Sequence, residues 1–293
     1  MGEAIADDAL DAFHKETAAN NDPQEVRLID VLMHPADHPV VIRHGDCASC
    51  TEAGTGACEV ACLFEAIKRD ENNNIIISGN CTGCGDCIDA CPSGALTGSK
   101  DSVAVLQLLK DKSAPVYAMI APAFSGQFTE DVTAGKLRCA FKRMGFYGMV
   151  ETALFADILT LKEALEFDRE VVGDDDFLLT SCCCPLWVSI IRSKYKEMIP
   201  HVPPSVSPMV ACGRSIKRIH PEAKTVFIGP CMAKKAEARD ADIADAVDYV
   251  LTFEEVADMF TLLRVDPKDC EEDKSDHSSR AGRIYARAGG VSE

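Results

Sequence analysis

One stretch constrains this chain more than any other: "CTGCGDCIDACP", from Cys81 to Pro92. It spaces four thiols as Cys81-x2-Cys84-x2-Cys87-x3-Cys91 and closes on proline. Gaps this short let three thiolates grip three corners of one 4Fe-4S cube, while Gly83 and Gly85 let backbone amides approach its sulfides. Paired Cys-x2-Cys motifs also bind zinc, so a zinc site is the alternative reading.

An upstream run, "CASCTEAGTGACEVAC", supplies Cys47-x2-Cys50-x7-Cys58-x3-Cys62. It stretches the usual gap by five residues and has Leu63 where proline is usual. The downstream spacing resembles that of bacterial ferredoxins, in which the fourth cysteine of each run serves the other cluster. On that pattern Cys47, Cys50, Cys58 and Cys91 hold one cluster, and Cys81, Cys84, Cys87 and Cys62 the other. Two clusters make an electron wire, and a wire feeds something.

Composition narrows the setting. A chain of 293 residues, 47% hydrophobic and 26% charged, is ordinary globular material with room for about two domains. Its net charge of -17 argues against nucleic acid, which selects basic faces. "MGEAIADDALDAFHKETAANNDPQ" has neither the basic segment nor the apolar core of a secretory signal. The longest apolar stretch, "APVYAMIAPAF", is too short to cross a bilayer and contains prolines. The expectation is a soluble cytoplasmic protein without membrane contact, whose fifteen cysteines stay reduced and serve metals rather than disulfides.

Three stretches follow. Residues 1–38 are a polar segment without a site signal, and residues 39–100 form the two-cluster domain. From Pro115 to Glu293 short apolar runs alternate with amphipathic ones: "VYAMIAP" then "LRCAFKRMGF", "FLLTS" then "PLWVSIIRSKYKEM", "KTVFIGP" then "AKKAEA". "YVLT" then leads into "FEEVADMFTLLR", where Thr252 and Glu255 are spaced as a capping box. This alternation predicts βαβ units, an α/β fold with a largely parallel sheet. "APA", "CCCP" and "GPC" then stand at three strand exits, where open α/β sheets bind ligands.

Those exits carry a family resemblance. "TSCCCPLW" (Thr180 to Trp187) and "GPCMAKKAE" (Gly229 to Glu237) resemble the first two signature motifs of the iron-iron hydrogenases. The resemblance implies an α+β two-cluster ferredoxin domain followed by α/β lobes, and reversible oxidation of dihydrogen to protons. It also implies an H-cluster, a 4Fe-4S cube joined through a cysteine to a diiron unit carrying CO and cyanide. Ferredoxin or another redox protein would exchange the electrons, and maturation factors would load the site.

Aligned from Pro185, the resemblance makes Cys184 a ligand of the cube and Cys183 the proton-passing thiol, with Cys182 where serine is usual. Aligned from Thr180, the roles move one residue earlier. Cys231 matches a second cube ligand, beside Pro230. Lys234 matches the lysine that hydrogen-bonds a cyanide, with an ordinary surface lysine as the alternative. Gly229 replaces a frequent methionine, a change expected to open the pocket. "ADILTLKEALEF" resembles the helix of the proton relay, making Glu163 and Glu166 its carboxylates; residues three apart share a face, and exposed helix glutamates are the alternative. "APAF" resembles a turn near cyanide formed by Ala121, Pro122 and Ala123, the last in place of a frequent serine.

The family's third motif, with two further cysteines, has no match in the chain. The expectation is therefore a fragment or truncated product of a hydrogenase. A second reading is a relative without turnover, serving electron transfer, sensing or assembly. A third gathers Cys182, Cys184, Cys212 and Cys231 around an ordinary cluster. Cys139 and Cys212 fall in helical patterns as core residues, Cys270 reads as an unligated thiol, and the histidines show no ligand spacing.

Overall fold

The computed structural model describes residues 2–18, 22–45, 47, 50, 56–71, 75–179, 183–274 and 283. Residues 1–38, which carry no site signal, are largely helical, as α1 (Gly2–Ala18) and α2 (Pro23–Met33). The chain continues through β1 (Val41–Arg43), α3 (Ala57–Ala61), β2 (Ile67–Arg69), β3 (Ile75–Ile77), α4 (Asp86–Asp89) and β4 (Leu96–Gly98). β1 pairs antiparallel with β4, and β2 with β3. Each half is thus strand, short helix, strand, with the cysteines on the loops and one-turn helices between. α5 (Ser102–Asp111) leads out of this unit, and both α1 and α2 pack on it.

The larger unit holds β5 (Val116–Ile120), α6 (Ala134–Met144), β6 (Gly148–Glu151), α7 (Ala153–Glu170), α8 (Pro185–Lys194) and α9 (Pro208–Ile219). It closes with β7 (Lys224–Gly229), α10 (Ala233–Ala238), β8 (Tyr249–Thr252) and α11 (Phe253–Leu262). Its four strands are parallel, in the order β6-β5-β7-β8. Parallel strands covered on both faces read as continuous apolar runs, and Ala118, Met119, Ile120, Val226 and Ile228 are fully buried. Helix ends follow local chemistry. Thr133 accepts from Lys136 N at the start of α6, and Gly145 closes that helix at φ 109°, a left-handed conformation glycine adopts without strain. Thr252 and Glu255 form the capping box of α11, at 3.2 and 2.8 Å.

One strand differs from the sequence expectation. Residues 177–179 of "FLLTS" form no strand, and Phe177 stacks on His201 with ring centroids 3.9 Å apart. Residues 180–182, including Cys182, lie outside the described residues. The fourth strand is instead β6, "GMVE", too short and too polar to stand out by periodicity. "APA" and "GPC" do follow strands, whereas residues 171–179 hold no strand and Pro185 opens α8. Among the described residues no helix is long and apolar enough to cross a membrane.

Candidate metal centres

The smaller unit gathers its thiols in two groups. Cys62, Cys81, Cys84 and Cys87 line one cavity, walled by Val41, Phe64 and Ile77. Burial pushes the Cys87 thiol up to about 12, helped by repulsion from Cys81, Cys84 and Cys62. Cys58 is raised first by burial, then by Glu59, Cys91 and Cys47, so these three thiols share the other field. Cys50 stands beside Cys47, its amide donating to the Cys47 carbonyl at 3.1 Å.

Backbone amides point at the sulfurs. Ala66 N donates to Cys62 Sγ at 3.2 Å and Ala95 N to Cys91 Sγ at 3.3 Å. Burial opposes ionisation of Cys91, yet bonds from Ser93, Ala95 and Leu96 outweigh it and hold the thiol below its ordinary range. Such donors favour thiolate, the form that ligates iron. Ser78 Oγ and Thr82 Oγ1, close to Cys81, are buried without a protein partner among the described residues, as suits hydroxyls facing an inorganic sulfide. Four thiols around one cavity and amides aimed at sulfur fit an iron-sulfur cluster.

The larger unit places its candidate site residues where β5 and β7 end. Ala121 N donates to Ile228 O at 2.8 Å, setting Ala121-Pro122-Ala123 beside Gly229-Pro230-Cys231. Lys234 joins this edge to the loop before α8: its ammonium donates to the Cys183 carbonyl at 2.8 Å and to Glu237 Oε2 at 2.6 Å. Ser207, the cap of α9, donates to Glu237 Oε1 at 2.5 Å. Glu237 is the residue sequence reasoning passed over; its signal is the Lys-x2-Glu spacing on one helical face. Cys184 caps α8 in an extended conformation and is exposed, while Cys183 and Cys231 are half-buried.

Gly229 differs from expectation. A Cβ there would stand 2.6 Å from Cε1 of the Phe227 ring and 3.4 Å from Ala121 Cβ. The missing methionine does not open the pocket, because Phe227 fills the space. On α7, Glu163 is half-buried, and Glu166 is only 12% exposed. Glu166 Oε1 is 2.9 Å from Lys162 Nζ, which also donates to Ser205 Oγ at 2.8 Å; Oε2 is buried without a partner among the described residues. Cys212 lies in the core, where burial alone pushes its thiol up.

The two centres touch. A Cβ on Gly83 would come 3.2 Å from Ala233 Cα and 3.3 Å from Met232 O, and Gly85 faces Met232 Cε. A Cβ on Gly98 would overlap Met232 Sδ. Met232, one residue after Cys231, thus fills a gap that only glycines leave in the cysteine-bearing unit. Next to it, Lys235 is buried against Ser99 O at 2.8 Å, Asp101 Oδ1 at 3.3 Å and Glu255 Oε1 at 3.0 Å, clamping the end of the smaller unit to the sheet.

A family model for the iron-only hydrogenase large subunit, C-terminal domain, matches residues 114–293, and one for a 4Fe-4S binding domain matches residues 75–97. The chain belongs to the iron-only hydrogenase large-subunit family. It is similar to the NADP-reducing hydrogenase subunit HndD of Solidesulfovibrio fructosivorans, 28% identical over 243 residues, covering 73% of this chain and 41% of that protein. It is also similar to Protein NAR1 of Arabidopsis thaliana, 28% identical over 190 residues, covering 53% and 40%. A solved [FeFe]-hydrogenase, HydA(ΔEFG), shares the fold with a TM-score of 0.51 at 24% identity, over 59% of this chain and 50% of its own. The chain spans half or less of the length of these relatives.

Proposed function

We propose that this chain works in iron-iron hydrogenase chemistry, the reversible conversion of dihydrogen to protons and electrons. Residues 39–100 act as a two-cluster electron module, with one cluster on Cys62, Cys81, Cys84 and Cys87 and one on Cys47, Cys50, Cys58 and Cys91. Residues 115–293 belong to the catalytic domain, and residues 1–38 brace α5. The observation that carries the reading is Met232 seated between Gly85 and Gly98. It sets the Cys231 motif directly against the loop of the first cluster.

Cys184 and Cys231 would hold the cube of an H-cluster, with Ala121, Pro122, Ala123 and Pro230 around it and Lys234 beside it. When bound, that group supplies the open metal position at which dihydrogen is split or made. The chain supplies the surroundings. Cys183 holds a proton at its thiol, and Glu166, whose Oε2 lacks a partner, receives protons on the α7 edge with Glu163. Glu237 holds Lys234 aimed at the Cys183 segment. The clusters, held by the cysteines of residues 39–100, would let electrons pass singly to ferredoxin or a comparable redox protein in the cytoplasm.

The test is infrared spectroscopy together with hydrogen evolution from reduced methyl viologen, after co-expression with hydrogenase maturation factors, on a version of the protein that carries the family's third motif. Bands of iron-bound CO and cyanide with hydrogen evolution are expected; their joint absence overturns the reading. A second reading, an iron-sulfur assembly or electron-transfer module without turnover, is favoured by the similarity to Protein NAR1 and by Phe227 closing the space at Gly229. On that reading the ferredoxin clusters load while the infrared bands stay absent.

A further inference from the structure

Two thiols that neither candidate centre uses come together where α6 packs on the turn after α11. Cys139 lies on α6, and Cys270 follows the short turn Pro267–Asp269. α6 packs on that turn, and Cys139 lies against the core that holds Cys270, whose thiol donates to Asp266 O at 3.6 Å. Cys270 is 4% exposed, packed in the main core. Cys139 is half-buried and opens onto a surface cavity that it shares with Lys142, Arg143 and Glu272. The meeting is held from both sides. Lys136 Nζ donates to Lys268 O at 3.2 Å, Arg138 Nη1 to Asp273 O at 2.8 Å, Lys142 Nζ to Asp273 Oδ2 at 2.7 Å, and Thr133 Oγ1 to Glu272 Oε2 at 2.6 Å.

We propose that Cys139 and Cys270 are a hydroperoxide-responsive dithiol, a modification site that closes to a disulfide and staples residues 266–273 onto α6. Cys139, the reachable sulfur, attacks one oxygen of hydrogen peroxide. The O–O bond breaks, Cys139 becomes a sulfenic acid, and its former proton leaves with the second oxygen as water. Cys270 then attacks the sulfenic sulfur. The S–S bond forms, the S–O bond breaks, and the departing hydroxide takes the Cys270 proton as a second water. The two thiols lose two electrons and two protons, and one peroxide becomes two waters. Burial of Cys270 fits the second step: its thiol is pushed up to about 11, first by burial and then by Cys139, so it waits as the protonated resolving partner. The staple also steadies the sheet. Arg138, next to Cys139, lies 3.6 Å from Glu151 at the carboxyl end of β6, and Arg283 donates to the same carboxylate at 2.8 Å.

Peptide mapping of the full chain tests this, on both the iron-loaded and the iron-free protein. After peroxide, alkylation of remaining thiols and tryptic digestion, Cys139–Lys142 should be recovered joined to Asp269–Lys274. The joined mass should lie about two units below the sum of the free peptides and separate on reduction. Cross-linking should need several-fold less peroxide in the folded chain than in urea. Cys270→Ser should leave Cys139 as a sulfenic acid that dimedone labels, and Cys139→Ser should remove the product. Recovery of both peptides singly alkylated, or pairing of Cys139 with the cluster cysteines as often as with Cys270, overturns the proposal. Loading with iron should leave the linkage unchanged, which separates it from oxidation of the metal centres.

Discussion

The ammonium of Lys234 sits 2.8 Å from the carbonyl oxygen of Cys183, a residue 51 positions earlier, while Glu237 neutralises it from 2.6 Å. One side chain thus joins the start of α10 to the segment entering α8. Lys234→Met leaves Glu237 mostly buried and uncompensated, and should lower unfolding free energy by about 2–3 kcal/mol. Urea denaturation reads the loss. Adding Glu237→Gln should restore about 1 kcal/mol or more; a strictly additive double variant would show that the pair does not couple.

Crossed ligation separates from ligation in sequence order by iron counting. After anaerobic reconstitution the chain should bind about eight irons, and Cys62→Ser should remove about four. The pair Cys62→Ser and Cys87→Ser should remove no more than the single change. Combining Cys62→Ser with Cys58→Ser should instead empty both sites. Should the Cys62/Cys58 pair behave like the single variant, the fourth ligands are not exchanged.

Lys235 is 1% exposed and compensates two buried carboxylates, Asp101 and Glu255. Burial already pushes the Asp101 carboxyl up despite Lys235. Lys235→Met should therefore cost about 3–5 kcal/mol, visible as a thermal midpoint lower by several degrees or more. A midpoint within a degree of the parent would mean that water enters freely when the lysine goes.

Asp248 gives an acid-sensitive contribution. Burial disfavours its charge, but Lys217 at 2.8 Å, Thr225 N at 2.9 Å and Lys224 outweigh that and hold the carboxyl below its ordinary range. A depressed folded value stabilises above the unfolded pKa of about 4 and fades as pH falls through the folded one. Asp248→Asn should cost about 1–3 kcal/mol at pH 7 and much less near pH 3. An equal loss at both pH values, by chemical denaturation, would trace the effect to packing instead.

Sequence by itself determined the features whose geometry is local. Three thiols within seven residues, Cys81 to Cys87, have the spacing of an iron-sulfur run, and the apolar runs of β5 and β7 read as strands covered on both faces. The capping box at Thr252 was legible for the same reason, since its bonds span three residues. Tertiary structure alone decided the rest. β6 was hidden because glycine and glutamate flank only two apolar residues, whereas residues 177–179 looked apolar enough to open a strand yet form none. Phe227 over Gly229, Glu237 beneath Lys234, the Lys235 clamp and the meeting of Cys139 with Cys270 join segments far apart in the chain. Which side chains meet there depends on how whole helices and sheets are rotated as they pack, and no local spacing records that rotation.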